Sequence, residues 1–125
     1  MYNISMESCI FCKIIKKEIF SHIVYEDNDF IAFMDIHPIS PGHTLVIPKE
    51  HYRWVWDVPN TKDYFEVTKK IALAQRKAFD TDAISIKIVG EEIPHAHIWV
   101  FPNPETVKGE KSDFEGNKKK IIDNL

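Results

Sequence analysis

The amino-acid sequence predicts an α+β fold. Three observations carry that expectation. The stretch from Asn60 to about Phe79 has the apolar periodicity of one long helix. Five short segments have the length and residue types of strands. A short turn joins the last two of these, which makes them antiparallel neighbours. The order is a short helix, three strands, the long helix and two strands. It implies an α+β meander with helices on one face of the sheet.

Residues 9–18 read as a short helix or turn with Ile10, Ile14 and Ile15 on one side. Residues 23–26 and 30–35 read as a hairpin around Asp27, Asn28 and Asp29. Residues 36–42 hold Pro38, Pro41 and Gly42 and form a connection. Residues 43–48 (HTLVIP) are a third strand. Residues 52–58 (YRWVWDV) are ambiguous, and Tyr52, Trp54 and Trp56 are expected to pack over a sheet edge. The long helix starts at Asn60 or Thr61, either a plausible cap, with Asp63 in its first turn. Its apolar stripe reads as Phe65, Ile71, Ala72, Ala74, Ala78 and Phe79. Residues 83–89 form a fourth strand with Ile84, Ile86 and Ile88 on one face and Ser85 and Lys87 on the other. Residues 95–101 form a fifth. There Ala96, Ile98 and Val100 face one way, and His95, His97, Trp99 and Phe101 face the other. Residues 103–125 are a polar tail. In it Ile121, Ile122 and Leu125 either dock a last short helix or stay with a solvated chain end.

The 125 residues suffice for one domain spanning 1–125 with a core over 9–102. A 44% apolar and 28% charged composition is that of an ordinary globular chain. A net charge of -3 supplies no general attraction to nucleic acid or an anionic membrane, so neither is expected as a partner and any phosphate must meet a local site. No run approaches the ~18 apolar residues of a membrane span. The polar start MYNISMES lacks a basic region followed by an apolar one, so no secretion signal is expected. The expected compartment is cytoplasmic, where the glycosylation acceptor at residues 3–5 carries no consequence.

Cys9 and Cys12 form the sequence's one Cys-x-x-Cys. In a reducing compartment that leaves a redox pair, half of a metal site, or two plain thiols. No strand precedes Cys9, which argues against the redox motif. A tetrahedral zinc site needs two more ligands, and His95 or His51 could lie beside the N-terminal turn. His97 is the catalytic candidate. An imidazole held by a neighbour can attack phosphorus and form a covalent intermediate that water resolves. A strand aims alternate side chains into one pocket, although a single histidine is more often structural.

Residues 9–51, CIFCKIIKKEIFSHIVYEDNDFIAFMDIHPISPGHTLVIPKEH, resemble the N-terminal half of the histidine triad (HIT) family, the Hint-like nucleotide-binding enzymes. HAHIWVF follows where that family has alternating histidines. The match covers roughly residues 9 to 102, and FMDIHPISPGHTLVIPKEH is its most specific block. The resemblance implies the HIT fold: a five-stranded antiparallel sheet, one long helix and short terminal helices. It also implies a homodimer paired through the long helix and a neighbouring strand. It implies a structural zinc on Cys9, Cys12, His51 and His95. The middle histidine, the nucleophile toward the α-phosphorus of a nucleotide, matches His97. The carboxylate that takes the ribose hydroxyls matches Asp35. The apolar base pocket matches Ile10, Phe11, Ile14, Phe33 and Ile36, each of which is also a plausible core residue.

Two departures qualify the resemblance. Trp99 stands at the third histidine. Indole donates one N–H but neither takes up nor releases a proton near neutral pH. General acid help is typically worth ~10² to 10⁴ in rate, so amine and alkoxide leaving groups should suffer more than pyrophosphate. A related nucleotidyl transferase branch has glutamine there, so loss of that histidine does not remove chemistry by itself. The turn Gly90-Glu91-Glu92-Ile93-Pro94 is also short, and it brings two carboxylates toward a phosphate. Three functions therefore stand. The first is a hydrolase or transferase of nucleoside 5′-phosphate derivatives, like a nucleotide phosphoramidase or dinucleoside polyphosphate hydrolase, with Trp99 shaping the leaving-group side. The second is a zinc-stabilised module that binds a nucleotide with weak or no turnover. The third is a dimeric interaction protein with a vestigial pocket.

Overall fold

The computed structural model describes residues 8–125. The polar start and the acceptor at residues 3–5 lie outside the described residues. Helix α1 is Ile10–Ile15, α2 is Thr61–Phe79 and α3 is Phe114–Asp123. The strands are β1 Ile23–Glu26, β2 Phe30–Met34, β3 Thr44–Pro48, β4 Ile84–Ile88 and β5 Ile98–Pro102. They form one antiparallel sheet in the order β1-β2-β3-β5-β4. The sheet is therefore not a plain meander, because β5 inserts between β3 and β4. The sequence gives the reason. Alternate residues of β5 are fully buried, whereas β4 exposes Ser85, Ile86 and Lys87 and so tolerates the edge.

The helices do not share one face. Phe30, Ala32, Met34, Val46, Ile98 and Val100 pack with Tyr64, Val67, Ile71, Ala74 and Phe79 of α2 and Ile121 of α3. On the opposite face Ile31, Phe33, Leu45 and Ile47 pack with Cys9, Phe11, Cys12 and Ile14. Central strands β2 and β3 are apolar on both sides and need cover on both.

Helix α1 is shorter than residues 9–18. Lys17 turns left-handed, at φ 64°, and stops it. Its buried side is Phe11, Cys12 and Ile14, while Ile10 is exposed and Ile15 half-buried, because the Cys9 Sγ accepts from the Cys12 N–H and seats the first turn against the sheet. On α2 the stripe is rotated from the expected one. Tyr64, Val67, Thr68 and Gln75 are buried, and Phe65, Ala72 and Ala78 are half-buried. Polar residues enter the core there because each has a partner. Gln75 donates to the carbonyls of Gly42 at 2.9 Å and Val100 at 3.0 Å. The Tyr64 hydroxyl donates to Val46 at 2.8 Å. Gly42 has φ 84°, and a Cβ there would run into the Phe79 ring.

The ambiguous stretch holds a 3-10 turn at Val55–Asp57. Trp56 is exposed and does not cover a sheet edge. Trp54 instead lies beside Gly90, whose missing Cβ makes room for the indole, and beneath the Arg53 guanidinium at 4.0 Å. The C-terminal helix docks through Ile121, leaving Ile122 and Leu125 exposed. Among the described residues no helix is long and apolar enough to cross a membrane.

Candidate active site and metal cluster

Strand β5 begins at Ile98, so His95 and His97 precede it in an irregular segment rather than lying within it. Their alternation survives because the segment is pinned. The Ala96 N–H donates to the Tyr52 carbonyl at 2.7 Å, and the Ala96 side chain enters the α2 core. Both imidazoles then face the α1 side. The Phe11 ring meets His95 at 5.9 Å and His97 at 5.3 Å, edge-on in each case.

The ligand atoms of Cys9, Cys12, His51 and His95 all lie within 4.8 Å of one another. His95 Nδ1 is 3.4 Å from Cys9 Sγ, 3.5 Å from Cys12 Sγ and 3.1 Å from His51 Nδ1. Cys12 Sγ is 3.2 Å from His51 Nδ1. A tetrahedral zinc, with bonds of about 2.0–2.3 Å, sets ligand–ligand edges of roughly 3.3–3.8 Å. These four atoms could hold a metal with little movement. His95 is also in the required tautomer. Its Nε2–H donates to the Pro48 carbonyl at 2.9 Å, which leaves Nδ1 unprotonated toward the thiols. Burial pulls the His95 pKa down to about 4, so the ring is neutral. Burial and the adjacent Cys9 push the Cys12 thiol up to about 12 in the metal-free site. A metal would displace that proton.

His97 is turned the other way. Its Nδ1–H donates to the His95 carbonyl at 2.7 Å, so Nε2 keeps the ring's free lone pair. Burial lowers its pKa, against the opposing pull of Asp35 and Glu92, and favours the neutral base. The ring lines a cavity of about 330 Å³. The same cavity is lined by Ile10, Phe11, Ile14, Phe33, Asp35, Ile36 and Trp99, all of which the sequence singled out.

Asp35 follows β2. Its Oδ1 accepts from the His37 N–H at 2.8 Å. Its Oδ2 is 3.5 Å from Nε2 of buried His43, near but outside hydrogen-bond geometry. The Ile39 N–H donates to His43 Nδ1 at 3.0 Å, which puts the His43 proton on the side of Asp35. Trp99 is half-buried, with its ring 5.3 Å from the His43 ring and 5.3 Å from Lys87 Nζ across the strand pair. Of the two expected carboxylates, Glu92 lines the cavity and Glu91 does not. Sequence reasoning missed Ile19, Phe20, Ser21 and His37, which also line it. The one available signal was the apolar pair Ile19-Phe20 standing in a polar stretch after α1.

Residues 16–106 match the HIT domain. The chain belongs to the HIT family. This HIT protein is 39% identical to a Hit-like protein involved in cell-cycle regulation from Bartonella henselae, crystallised with an unknown ligand. The two match over 100% of each chain with a TM-score of 0.86. It is 36% identical over 109 residues to the adenosine 5′-monophosphoramidase of Saccharomyces cerevisiae, across 82% of this chain and 66% of that protein. A zinc-bound histidine triad family protein from Mycobacterium smegmatis is 26% identical and superimposes with a TM-score of 0.79 over 96% of this HIT protein and 94% of that chain.

Proposed function

We propose that this HIT protein hydrolyses or transfers nucleoside 5′-phosphate derivatives through a nucleotidyl-His97 intermediate. The observation that carries the reading is the His97 tautomer. With Nδ1–H held by the His95 carbonyl, the lone pair on Nε2 belongs to a cavity that also contains a carboxylate and apolar walls. The yeast relative named as a phosphoramidase supports the substrate class. Ile10, Phe11, Ile14, Phe33 and Ile36 surround the base, and Asp35 accepts from the ribose hydroxyls. His97 Nε2 attacks the α-phosphorus, the bond to the leaving group breaks, and the leaving group takes up a proton from solvent. Water then attacks the phosphorus and gives up a proton to solvent, the bond to His97 breaks, and the nucleoside monophosphate departs.

Cys9, Cys12, His51 and His95 would hold a zinc ion. With four protein ligands such a site is closed, so the ion supplies cross-linking rather than an open position for substrate. Held there, it would tie α1 to the segment that carries His97.

A second reading, a nucleotide-binding module with weak or no turnover, is favoured by Trp99. That indole occupies the cavity wall where the family places a proton-transferring histidine. Turnover assays decide between the two. Zinc-loaded protein should hydrolyse adenosine phosphoramidate or a dinucleoside polyphosphate, and His97→Ala should not. Binding without turnover would establish the module instead.

A further inference from the structure

The outer rim of the cavity carries a ring that the reading above leaves unused. Ile10, Ile19, Phe20 and Ile36 stand at this mouth and are 45%, 37%, 75% and 66% exposed. Scattered exposed apolar residues need no explanation, but four lining one opening mark a surface with an apolar or flat partner. Phe20 is the aromatic member, and it is held from behind. Its ring meets His22 edge-on, at 4.9 Å and 85°. His22 in turn lies flat against Phe114 of α3, at 5.4 Å and 15°. His22 Nδ1 is 3.1 Å from Glu115 Oε1, close enough for an ion pair though off the line of a hydrogen bond. Helix α3 is itself fixed by buried Ile121 and by Asn117, which donates to the Glu110 carbonyl at 3.0 Å. A rotamer-poor ring, braced through a second ring to a docked helix, loses little freedom when something stacks on it.

We propose that Phe20 is a base-binding residue of this cavity: it stacks on the face of the nucleobase, and α3 holds it there through His22. The inference rests on the nucleotide reading above. A base has two apolar faces and a polar edge, and Phe20 matches a face. Ile36 adjoins Asp35 in sequence, so a ribose held by that carboxylate keeps its base near the same mouth.

The test is calorimetric titration of the full chain with adenosine monophosphate, with the melting temperature recorded for each variant. Phe20→Ala should weaken binding roughly 5- to 100-fold, the range that loss of one base–aromatic stack produces, without lowering the melting temperature. Phe20→Tyr should bind like the wild type. Phe20→Leu keeps apolar bulk but no flat face, and should bind like the alanine variant. His22→Leu leaves Phe20 in place without its brace and should weaken binding by a smaller factor. Alanine or leucine variants within twofold of wild type would overturn the stacking role, and an unaffected His22→Leu would overturn the brace. Should the wild type itself not bind adenosine monophosphate, the nucleotide reading falls first and this one with it.

Discussion

Replacing Trp99 with histidine separates binding from proton transfer. Trp99 lines the cavity beside His97, and its indole has no proton to exchange near neutral pH. Trp99→His should speed release of amine leaving groups by at least about tenfold, while pyrophosphate release changes little. Steady-state rates on the two substrate types check this, and an equal change on both would contradict it. His43 gives a second residue-level expectation. Burial lowers its pKa below 6.5, partly opposed by Asp35. The unfolded chain therefore takes up the proton first as pH falls. His43 contributes stability that is present above about pH 6.5 and is lost as pH falls toward its folded value. Urea midpoints measured from pH 7.5 to 5 should fall, and less steeply in His43→Asn. At this scale the sequence was legible where a motif block names a residue type, as with Asp35, His95 and His97. At Phe20 it offered only an apolar residue standing in a polar stretch, because an apolar side chain left in water breaks the burial pattern that sequence reading follows.

At the scale of elements, α1 depends on what grips its cysteines. Its six residues are too few to be helical alone. Phe11, Cys12 and Ile14 are its buried attachments to the sheet. Chelating a zinc ion loaded at Cys9, Cys12, His51 and His95 should therefore lower the melting temperature by at least about 5 °C and speed amide exchange in α1 and around His51 and His95. The core beneath α2 should keep its protection. An unchanged melting curve after verified metal removal would contradict the structural role. Elements were legible where one period dominates, so the first four strands and the long helix stand close to their expected bounds, whereas the fifth strand begins three residues later than its alternation suggests. The stripe of α2 was misread because Thr68 and Gln75 are polar by type yet buried with partners. The place of β5 was misread because sequence order does not state which edge a strand joins.

For the whole molecule, the edge strand β4 and helix α2 leave Ile86 46% and Leu73 43% exposed. Pairing two copies through this region would cover both, and sedimentation should give twice the chain mass, reverting toward the monomer in Leu73→Glu with Ile86→Lys. A monomeric wild type would contradict it. Family membership was legible because the most specific block runs from β2 through β3, where sheet, cavity wall and the candidate metal ligand His51 meet. Which residues form the rim was not, since that depends on how α1 and the segment before β5 converge. The proposed reaction turns on a covalent bond between His97 and phosphorus. Mass spectrometry of protein mixed with adenosine phosphoramidate and quenched in alkaline denaturant tests it most directly. One adenylyl group should appear on the His97 peptide and be absent from His97→Ala. Turnover with no adduct, or an adduct that persists in His97→Ala, would contradict it.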